Sequence, residues 1–317
     1  MTTALVFPGQ GSQAIGMGQA LAANFAEARE VLQEVDDALG FALSTLMKEG
    51  PEADLTATQN AQPAIMAASL AAFRVMQKQM GFALPAGAAC VAGHSLGEYS
   101  ALTAAGALGV AQAARLLRTR GDAMQAAVPQ GQGGMVAVIG PELAAVEAIV
   151  AEARTKAPGE VIEIANHNST NQIVLSGSVK GMEMAIEVAK AMGAKRALPL
   201  AVSAPFHCSL MAPAATVMQH ALAESGLRAP QVPLVANVTA AYVSDAATIQ
   251  SLLVKQVTGM VRWVDSIHAM QAQGVTRIIE IGHGQVLSGL IKRIAPEMAC
   301  VNIGTPEDLD AFAAKAA

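Results

Sequence analysis

One serine of this chain lies between glycines, in Gly93-His94-Ser95-Leu96-Gly97, where a short apolar segment meets a long Ala- and Leu-rich stretch. G-x-S-x-G at a strand-to-helix turn is typical of a nucleophile elbow, because the glycines let the backbone bend and expose the serine hydroxyl. The next amide and the N-terminus of the following helix could then stabilise an oxyanion. The pattern predicts that Ser95 attacks acyl groups. The open alternative is a glycine-rich turn whose serine caps a helix.

A serine hydroxyl needs a general base, and the chain offers six histidines. His207 is the informative one, because it follows Pro205-Phe206 where the chain is predicted to re-enter its larger domain. His94 is the neighbour of the serine, but successive side chains point apart, which favours a packing or supporting role. His283 lies in a glycine-rich loop and is better interpreted as a turn residue. No Asp or Glu stands in an obvious third position, so a backbone carbonyl could orient the imidazole instead.

An arginine indicates the charge of the substrate. Arg120 is predicted to share the apolar face of the helix after the elbow with Leu116, Leu117 and Met124. A guanidinium on such a face needs a carboxylate or phosphate partner, and none is supplied locally. Two alternatives are open: a structural ion pair with a distant acidic residue, or a carboxylate of the substrate.

These residues must be positioned by strands and helices that alternate along most of the chain. Such βα repeats predict a mostly parallel sheet covered by helices. The predicted strands are Ala4–Phe7, Ala88–Ala92 and Arg277–Ile281, and the helices are Phe25–Leu39, Pro63–Met80 and one from Gln285.

The middle of the chain has a different order, βαββαβ, which is typical of a ferredoxin-like unit. Its predicted strands are Met135–Ile139, Val161–Ala165, Gln172–Ser176 and Arg196–Ala201, with helices over Glu142–Ala153 and Gly181–Met192. We therefore predict an α/β protein whose hydrolase-like large domain, residues 1–132 and 204–317, contains an inserted small domain, residues 133–203. The active site is expected in the cleft between them.

Composition limits the possible classes of protein. A chain with 53% hydrophobic and 14% charged residues is not disordered, and it has no apolar run long enough for a bilayer. Its first residues lack the basic start of a signal peptide. A net charge of −5 and few aromatics argue against a nucleic-acid partner. The scattered Cys90, Cys208 and Cys300 suit a reducing compartment. We expect a cytoplasmic globular protein with no membrane insertion.

Cofactor motifs are incomplete. Gly282-x-Gly284 follows a predicted strand, but Leu287 stands where the dinucleotide fingerprint needs its third glycine. There is no phosphate-binding G-x-x-x-x-G-K-[ST], and no His/Cys spacing supports zinc. We expect no metal and no bound cofactor.

Several motifs occur in the order found in malonyl-CoA:acyl-carrier-protein transacylases. They are Phe7-Pro8-Gly9-Gln10-Gly11-Ser12-Gln13, Gln62-Pro63-Ala64, Gly93 to Tyr99, Arg120 and Pro205-Phe206-His207. From its first strand to its last helix, the chain resembles the stand-alone bacterial enzymes of type II fatty acid synthesis.

The resemblance implies a ping-pong transfer of malonyl from malonyl-CoA to the phosphopantetheine thiol of acyl carrier protein. It implies that Ser95 is the nucleophile, that His207 is general base and acid, and that Arg120 clamps the malonyl carboxylate. Coenzyme A enters only as the thioester substrate.

The resemblance also implies four supporting residues. The backbone amides of Gln10 and Leu96 would form the oxyanion hole, the main-chain carbonyl of Gln256 would orient the histidine, and Gln62 would line the pocket. Phe206 resembles malonyl-selective rather than methylmalonyl-selective members.

Two segments depart from the family pattern. Gly282-His283-Gly284 stands where Gly-Pro-Gly is common, and the predicted loop from Asn166 to Gln172 lacks the usual Pro-Gly. No ligand role is therefore assigned to Asn166 or Asn168.

Other functions stay open at this point. An esterase or thioesterase could use the same serine and histidine without needing Arg120. A catalytically silent binding module would form no acyl-serine, and an acyltransferase serving malonate decarboxylase would share the chemistry. Two basic groups are candidates for meeting an acidic carrier protein, although solvated charge is the favoured interpretation. They are Lys190, Lys195 and Arg196, and Lys292 and Arg293.

Overall fold

The computed structural model describes residues 2–316, which form two sheets surrounded by helices. The strands are β1 (Thr2–Phe7), β2 (Cys90–Gly93), β3 (Gly133–Ile139), β4 (Ile162–Ser169), β5 (Gln172–Ser178), β6 (Arg196–Pro199), β7 (Leu234–Val235), β8 (Tyr242–Val243), β9 (Val275–Ile281) and β10 (Ala299–Ile303). The first half of the helices comprises α1 (Gln19–Asn24), α2 (Ala26–Leu39), α3 (Leu43–Glu49), α4 (Glu52–Thr56), α5 (Thr58–Met80), α6 (Gly97–Ala104) and α7 (Val110–Ala126). The second half comprises α8 (Leu143–Lys156), α9 (Val179–Ala191), a 3-10 turn (Ser209–Met211), α10 (Ala212–Ala223), α11 (Ala246–Thr258), α12 (Trp263–Ala272), α13 (Val286–Ile294) and α14 (Pro306–Ala316).

The larger sheet has the strand order β10-β9-β1-β2-β7-β8, and all neighbours are parallel except β7 and β8. Strand β1 is buried on both faces, as expected of a central parallel strand. Leu5 and Phe7 join the core on one face, while Ala4 and Val6 join the core on the other, because side chains alternate along a strand. The predicted parallel sheet covered by helices is confirmed.

The smaller sheet is antiparallel, in the order β4-β5-β3-β6. Its elements follow the predicted chain order of strand, helix, strand, strand, helix and strand. Val136 and Val138 pack into a separate core with α8 and α9. The preceding Met135 belongs instead to the main core, so the opposite face of this sheet covers part of the larger unit.

Strand β4 also contacts the larger unit, and this corrects the predicted loop. Asn166 forms a parallel bridge with Val261, and the N–H of His167 donates to the Val261 carbonyl at 2.9 Å. Because these bonds continue the extended backbone, β4 runs to Ser169 and only a tight turn precedes Gln172.

Other boundaries also differ from the predictions, and two of them bear on the site. Helix α5 begins at Thr58, so Pro63 lies inside it rather than at its start. As the sixth residue, Pro63 lies past the first four amides and removes one bond of the helix, because proline lacks an N–H. Strand β6 ends at Pro199 rather than at Ala201, and the residues that follow line a cavity. Within residues 2–316, no helix is both long and apolar enough to cross a bilayer.

Candidate active site

A cavity of about 320 Å³ opens where the loops after β1 and β2 meet the segment that follows β6. Carboxyl ends of neighbouring parallel strands lie at one edge of a sheet, and ligands commonly bind there. The cavity brings together most of the predicted site residues: Gln10, Gln62, Ser95, Leu96, Arg120 and His207. Gln256 lies behind it, and His283 is not among its lining residues.

The turn after β2 holds the serine in a sharply bent backbone. Ser95 has φ 53°, a left-handed conformation that is rare outside glycine. A Cβ on Gly93 would lie 1.9 Å from the Gly97 carbonyl carbon, and one on Gly97 would lie 2.3 Å from the Phe7 oxygen. Both positions therefore require glycine, because neighbouring backbone atoms leave no room for a Cβ. Asn237, just beyond β7, accepts the Ser95 N–H at 2.8 Å and donates to the Gly93 carbonyl at 2.7 Å.

The structure brings His207 to the serine from the far side of the cavity. Its Nε2 lies 2.7 Å from the Ser95 Oγ, and its Nδ1 lies 2.8 Å from the Gln256 carbonyl oxygen. Since a carbonyl only accepts, Nδ1 carries the proton and Nε2 is free to accept from the hydroxyl. Burial, and then the positive charge of Arg120, lower the pKa of His207 to about 3. The imidazole is therefore a neutral base at neutral pH.

Arg120 projects from α7 into the buried end of the cavity, and only 1% of its surface is exposed. Its Nη1 donates to the Gln62 Oε1 at 2.8 Å, and its Nη2 donates to the Ser95 Oγ at 3.0 Å and to the Gln256 Oε1 at 2.9 Å. All three acceptors are neutral. Within residues 2–316, Arg120 forms no ion pair and its Nε has no hydrogen-bond partner. The structural ion pair left open by the sequence is therefore not found.

Two backbone amides face the same space. Gln10, in the loop after β1, and Leu96, directly after the serine, both line the cavity. In the described part of the chain, neither N–H donates a hydrogen bond. Both donors are therefore free for an oxyanion that develops beside the Ser95 hydroxyl.

Residues to which the sequence assigned no catalytic or ligand role complete the site. Asn166 and Asn168 of β4 both line the cavity. The Asn168 Oδ1 lies 2.8 Å from the His94 Nε2. His94 is thus a supporting residue, its ring 5.7 Å from that of Trp263. Glu98, the second residue of α6, is buried behind the serine. Its position after G-x-S-x-G was the only available signal.

Within residues 2–316, no group of three or more His, Cys, Asp or Glu side chains is placed to hold a metal ion. The cavity instead offers a hydroxyl, an imidazole, a guanidinium and free amides, which is a set suited to acyl groups that carry a carboxylate. The fold and the site together define an acyltransferase.

Comparison with known proteins gives the family. The family model described as "Acyl transferase domain" matches residues 4–309. The malonyl CoA-acyl carrier protein transacylase of Salmonella typhimurium is 45% identical over 308 residues, 97% of each chain. The same-named protein of Bacillus subtilis is 42% identical, with 97% of this chain and 95% of the relative covered. The chain belongs to the malonyl CoA-acyl carrier protein transacylases of the acyl transferase family.

Solved structures agree. The acyl-carrier-protein-S-malonyltransferase from Bartonella henselae superposes with a TM-score of 0.96, at 50% identity over 99% of both chains. A malonyl-transacylase solved in complex with a type II PKS acyl-carrier protein superposes with a TM-score of 0.93, at 41% identity over 98% of both chains.

Proposed function

We propose that this protein transfers malonyl from malonyl-CoA to the phosphopantetheine thiol of an acyl carrier protein, through a malonyl ester on Ser95. The observation that carries the proposal is the buried Arg120, which contacts the serine hydroxyl yet has only neutral acceptors. A carboxylate on the acyl group would supply the missing counter-charge. The names of the relatives, and the solved complex of one with an acyl-carrier protein, support the same reaction.

In the first half-reaction, the Ser95 Oγ attacks the thioester carbon while the His207 Nε2 takes its proton. The resulting oxyanion accepts bonds from the N–H groups of Gln10 and Leu96. The C–S bond then breaks, and the imidazolium returns the proton to the departing coenzyme A sulfur. The second half-reaction reverses these steps with the carrier thiol, so it restores the free hydroxyl. Protons and acyl group balance without a metal or redox cofactor.

Arg120 acts through binding and orientation. Its free Nε and the Nη2 N–H that now donates to the Ser95 Oγ can turn to a carboxylate, while Gln62 and Gln256 keep the guanidinium plane fixed. A buried guanidinium left unpaired is costly, so uncharged acyl groups bind less well than malonyl.

We infer that the turn at Ser95 is a hydrolase-like nucleophile elbow, and that residues 133–203 are a ferredoxin-like domain inserted between residues 1–132 and 204–317. The unpaired Cys90, Cys208 and Cys300 support a reducing, cytoplasmic setting, where the product would serve fatty acid synthesis.

The test is incubation with malonyl-CoA alone, followed by intact mass, peptide mapping and addition of holo acyl carrier protein. We expect one malonyl group on Ser95 that is lost when the carrier is added. Free malonate without an adduct would indicate a thioesterase. No adduct and no turnover would indicate a binding protein.

A further inference from the structure

Behind the serine, three helices and one loop converge on a buried polar network that extends from the residues of the proposed reaction to Glu98, which has no role in it. Glu98 of α6 and Gln256 of α11 are at most 1% exposed, and so is Asn237, which follows β7. The Glu98 Oε1 accepts the Asn237 N–H at 2.7 Å, and its Oε2 accepts the Gln256 Nε2. Both carboxyl oxygens of Glu98 therefore face N–H donors.

Gln256 connects this carboxyl group to Arg120. Its Nε2 donates to Glu98 and to the Ser95 carbonyl at 2.9 Å, while its Oε1 accepts from the Arg120 Nη2 at 2.9 Å. A guanidinium only donates and a carboxylate only accepts. An amide with its oxygen toward Arg120 and its nitrogen toward Glu98 is the orientation that satisfies both.

We propose that Glu98 is a positioning residue that fixes the amide orientation of Gln256 and thereby holds the Arg120 guanidinium in place for the substrate carboxylate. The inference rests on the proposed malonyl transfer. Burial raises the pKa of Glu98 to about 8, against the bonds from Asn237 and Gln256 and the charge of Arg120, which lower it. A proton on either oxygen would face an N–H donor, so the observed contacts are those of the ionised carboxylate.

Glu98→Gln tests this chain of contacts with little change in volume. The new amide must use its oxygen for the Asn237 N–H, which turns its nitrogen toward the Gln256 nitrogen. Two donors then face each other, and a rotated Gln256 would present its NH₂ to Arg120. The guanidinium would lose its acceptor, while the bond from His207 to the Gln256 main chain would stay.

The measurement compares the rates at which Ser95 is loaded from malonyl-CoA and from acetyl-CoA, by quenched-flow intact mass. In Glu98→Gln we expect malonyl loading to fall by about tenfold to a hundredfold, the range for a hydrogen bond to a charged group, with a higher KM. Acetyl loading should stay within about twofold, because it does not need the guanidinium.

Glu280→Gln is the matched control. Glu280 is also buried, and its oxygens accept the N–H groups of Leu287 and Ser288 at 3.0 and 2.7 Å, away from the cavity. We expect this variant to lose stability but to keep the malonyl preference. Equal losses for both substrates in Glu98→Gln, or unchanged loading, would overturn the inference.

Glu98→Asp covers the case in which Glu98→Gln does not fold. It keeps the carboxylate but shortens the side chain by one methylene group, so it cannot hold Asn237 and Gln256 together and the same selective loss is expected. Retained malonyl preference in this variant would overturn the inference. If the wild-type protein takes no malonyl, the proposed function is overturned as well. If the wild-type protein is loaded normally and the variants keep their malonyl preference, only the role of Glu98 is overturned.

Discussion

Ser95 and His207 have left-handed backbones, with φ of 53° and 60°, whereas Arg120, Gln62 and Gln256 all lie within regular helices. We call the first two the reactive pair and the other three the carboxylate clamp. A left-handed non-glycine residue costs about 1–3 kcal/mol, so it persists only where surrounding contacts enforce it. The reactive pair uses strained turns to expose its atoms to substrate. The clamp residues lie on buried helix faces, which fix the position of the Arg120 guanidinium.

Because of this difference, we expect that reaction and selection can be altered separately in this cavity. The reactive pair passes a proton, and its histidine is oriented by a backbone group, the Gln256 carbonyl. The clamp moves no proton in the proposed reaction and depends on side-chain acceptors. Changes in the pair should affect all acyl groups alike, while changes in the clamp should affect malonyl first.

Ser95→Ala should have the largest effect. Acyl transfer from any CoA thioester should fall by at least about four orders of magnitude, because no covalent intermediate can form. Steady-state transfer to acyl carrier protein and intact mass are the measurements. Ser100→Ala is the control, since that buried hydroxyl on α6 has no hydrogen-bond partner among residues 2–316. A malonyl adduct on Ser95→Ala protein would place the nucleophile elsewhere.

Arg120→Ala should separate the two regions. Malonyl loading should fall by about a hundredfold or more, because a buried charged partner of the substrate is lost. Acetyl loading should change little, which single-turnover rates with both thioesters would show. Arg118→Ala, on the same helix and paired with Asp122, should leave both rates unchanged. Equal losses for both acyl groups would contradict a separate clamp.

Gln62→Leu should produce a smaller effect of the same kind. It removes one acceptor from the Arg120 Nη1 in a site of similar shape, and losing a bond to a charged group costs about tenfold. The KM for malonyl-CoA should rise while acetyl loading is preserved. Gln59→Leu on the same helix is the control, because the side-chain amide oxygen of Gln59 has no hydrogen-bond partner in the described part of the chain. A larger loss for acetyl than for malonyl would argue against this role.

The last prediction concerns the acid limb of the pH dependence of the acylation rate, and its effect on the rate at neutral pH should be the smallest. The neutral His207 is lost as pH falls through its pKa, which burial and then Arg120 lower to about 3 from the ordinary 6.5. Arg120→Ala removes the second cause, so the acid limb of acetyl loading should move to higher pH. Arg118→Ala should leave it in place. An unmoved or lower limb in Arg120→Ala would show that the two regions are not electrostatically coupled.

Sequence and structure agree most where the signal is local. The serine turn was predictable because two glycines and a serine define it within five residues, and Arg120 because helical periodicity placed it on an apolar face. The choice of His207 as the base was less local, because it depended on predicting where the chain returns to the larger unit. The role of Gln256 toward the histidine came only from family resemblance.

Other features could not be read from sequence because their partners are remote. Glu98 meets Gln256 and Asn237 across 158 and 139 residues, so neither contact leaves a periodic pattern. Strand β4 extends past its predicted end because it also bonds to Val261. That extension brings Asn168 to His94. The polar, loop-like composition of the segment from Asn166 to Gln172 did not indicate this contact.

The most direct test of the division between reactive pair and clamp is a crystal structure of the protein after reaction with malonyl-CoA. We expect an ester on the Ser95 Oγ, with its carbonyl oxygen at the N–H groups of Gln10 and Leu96. We also expect the free carboxylate in a two-point contact with the Arg120 guanidinium. A malonyl ester whose carboxylate points to solvent, with Arg120 still bound only to neutral acceptors, would contradict this division.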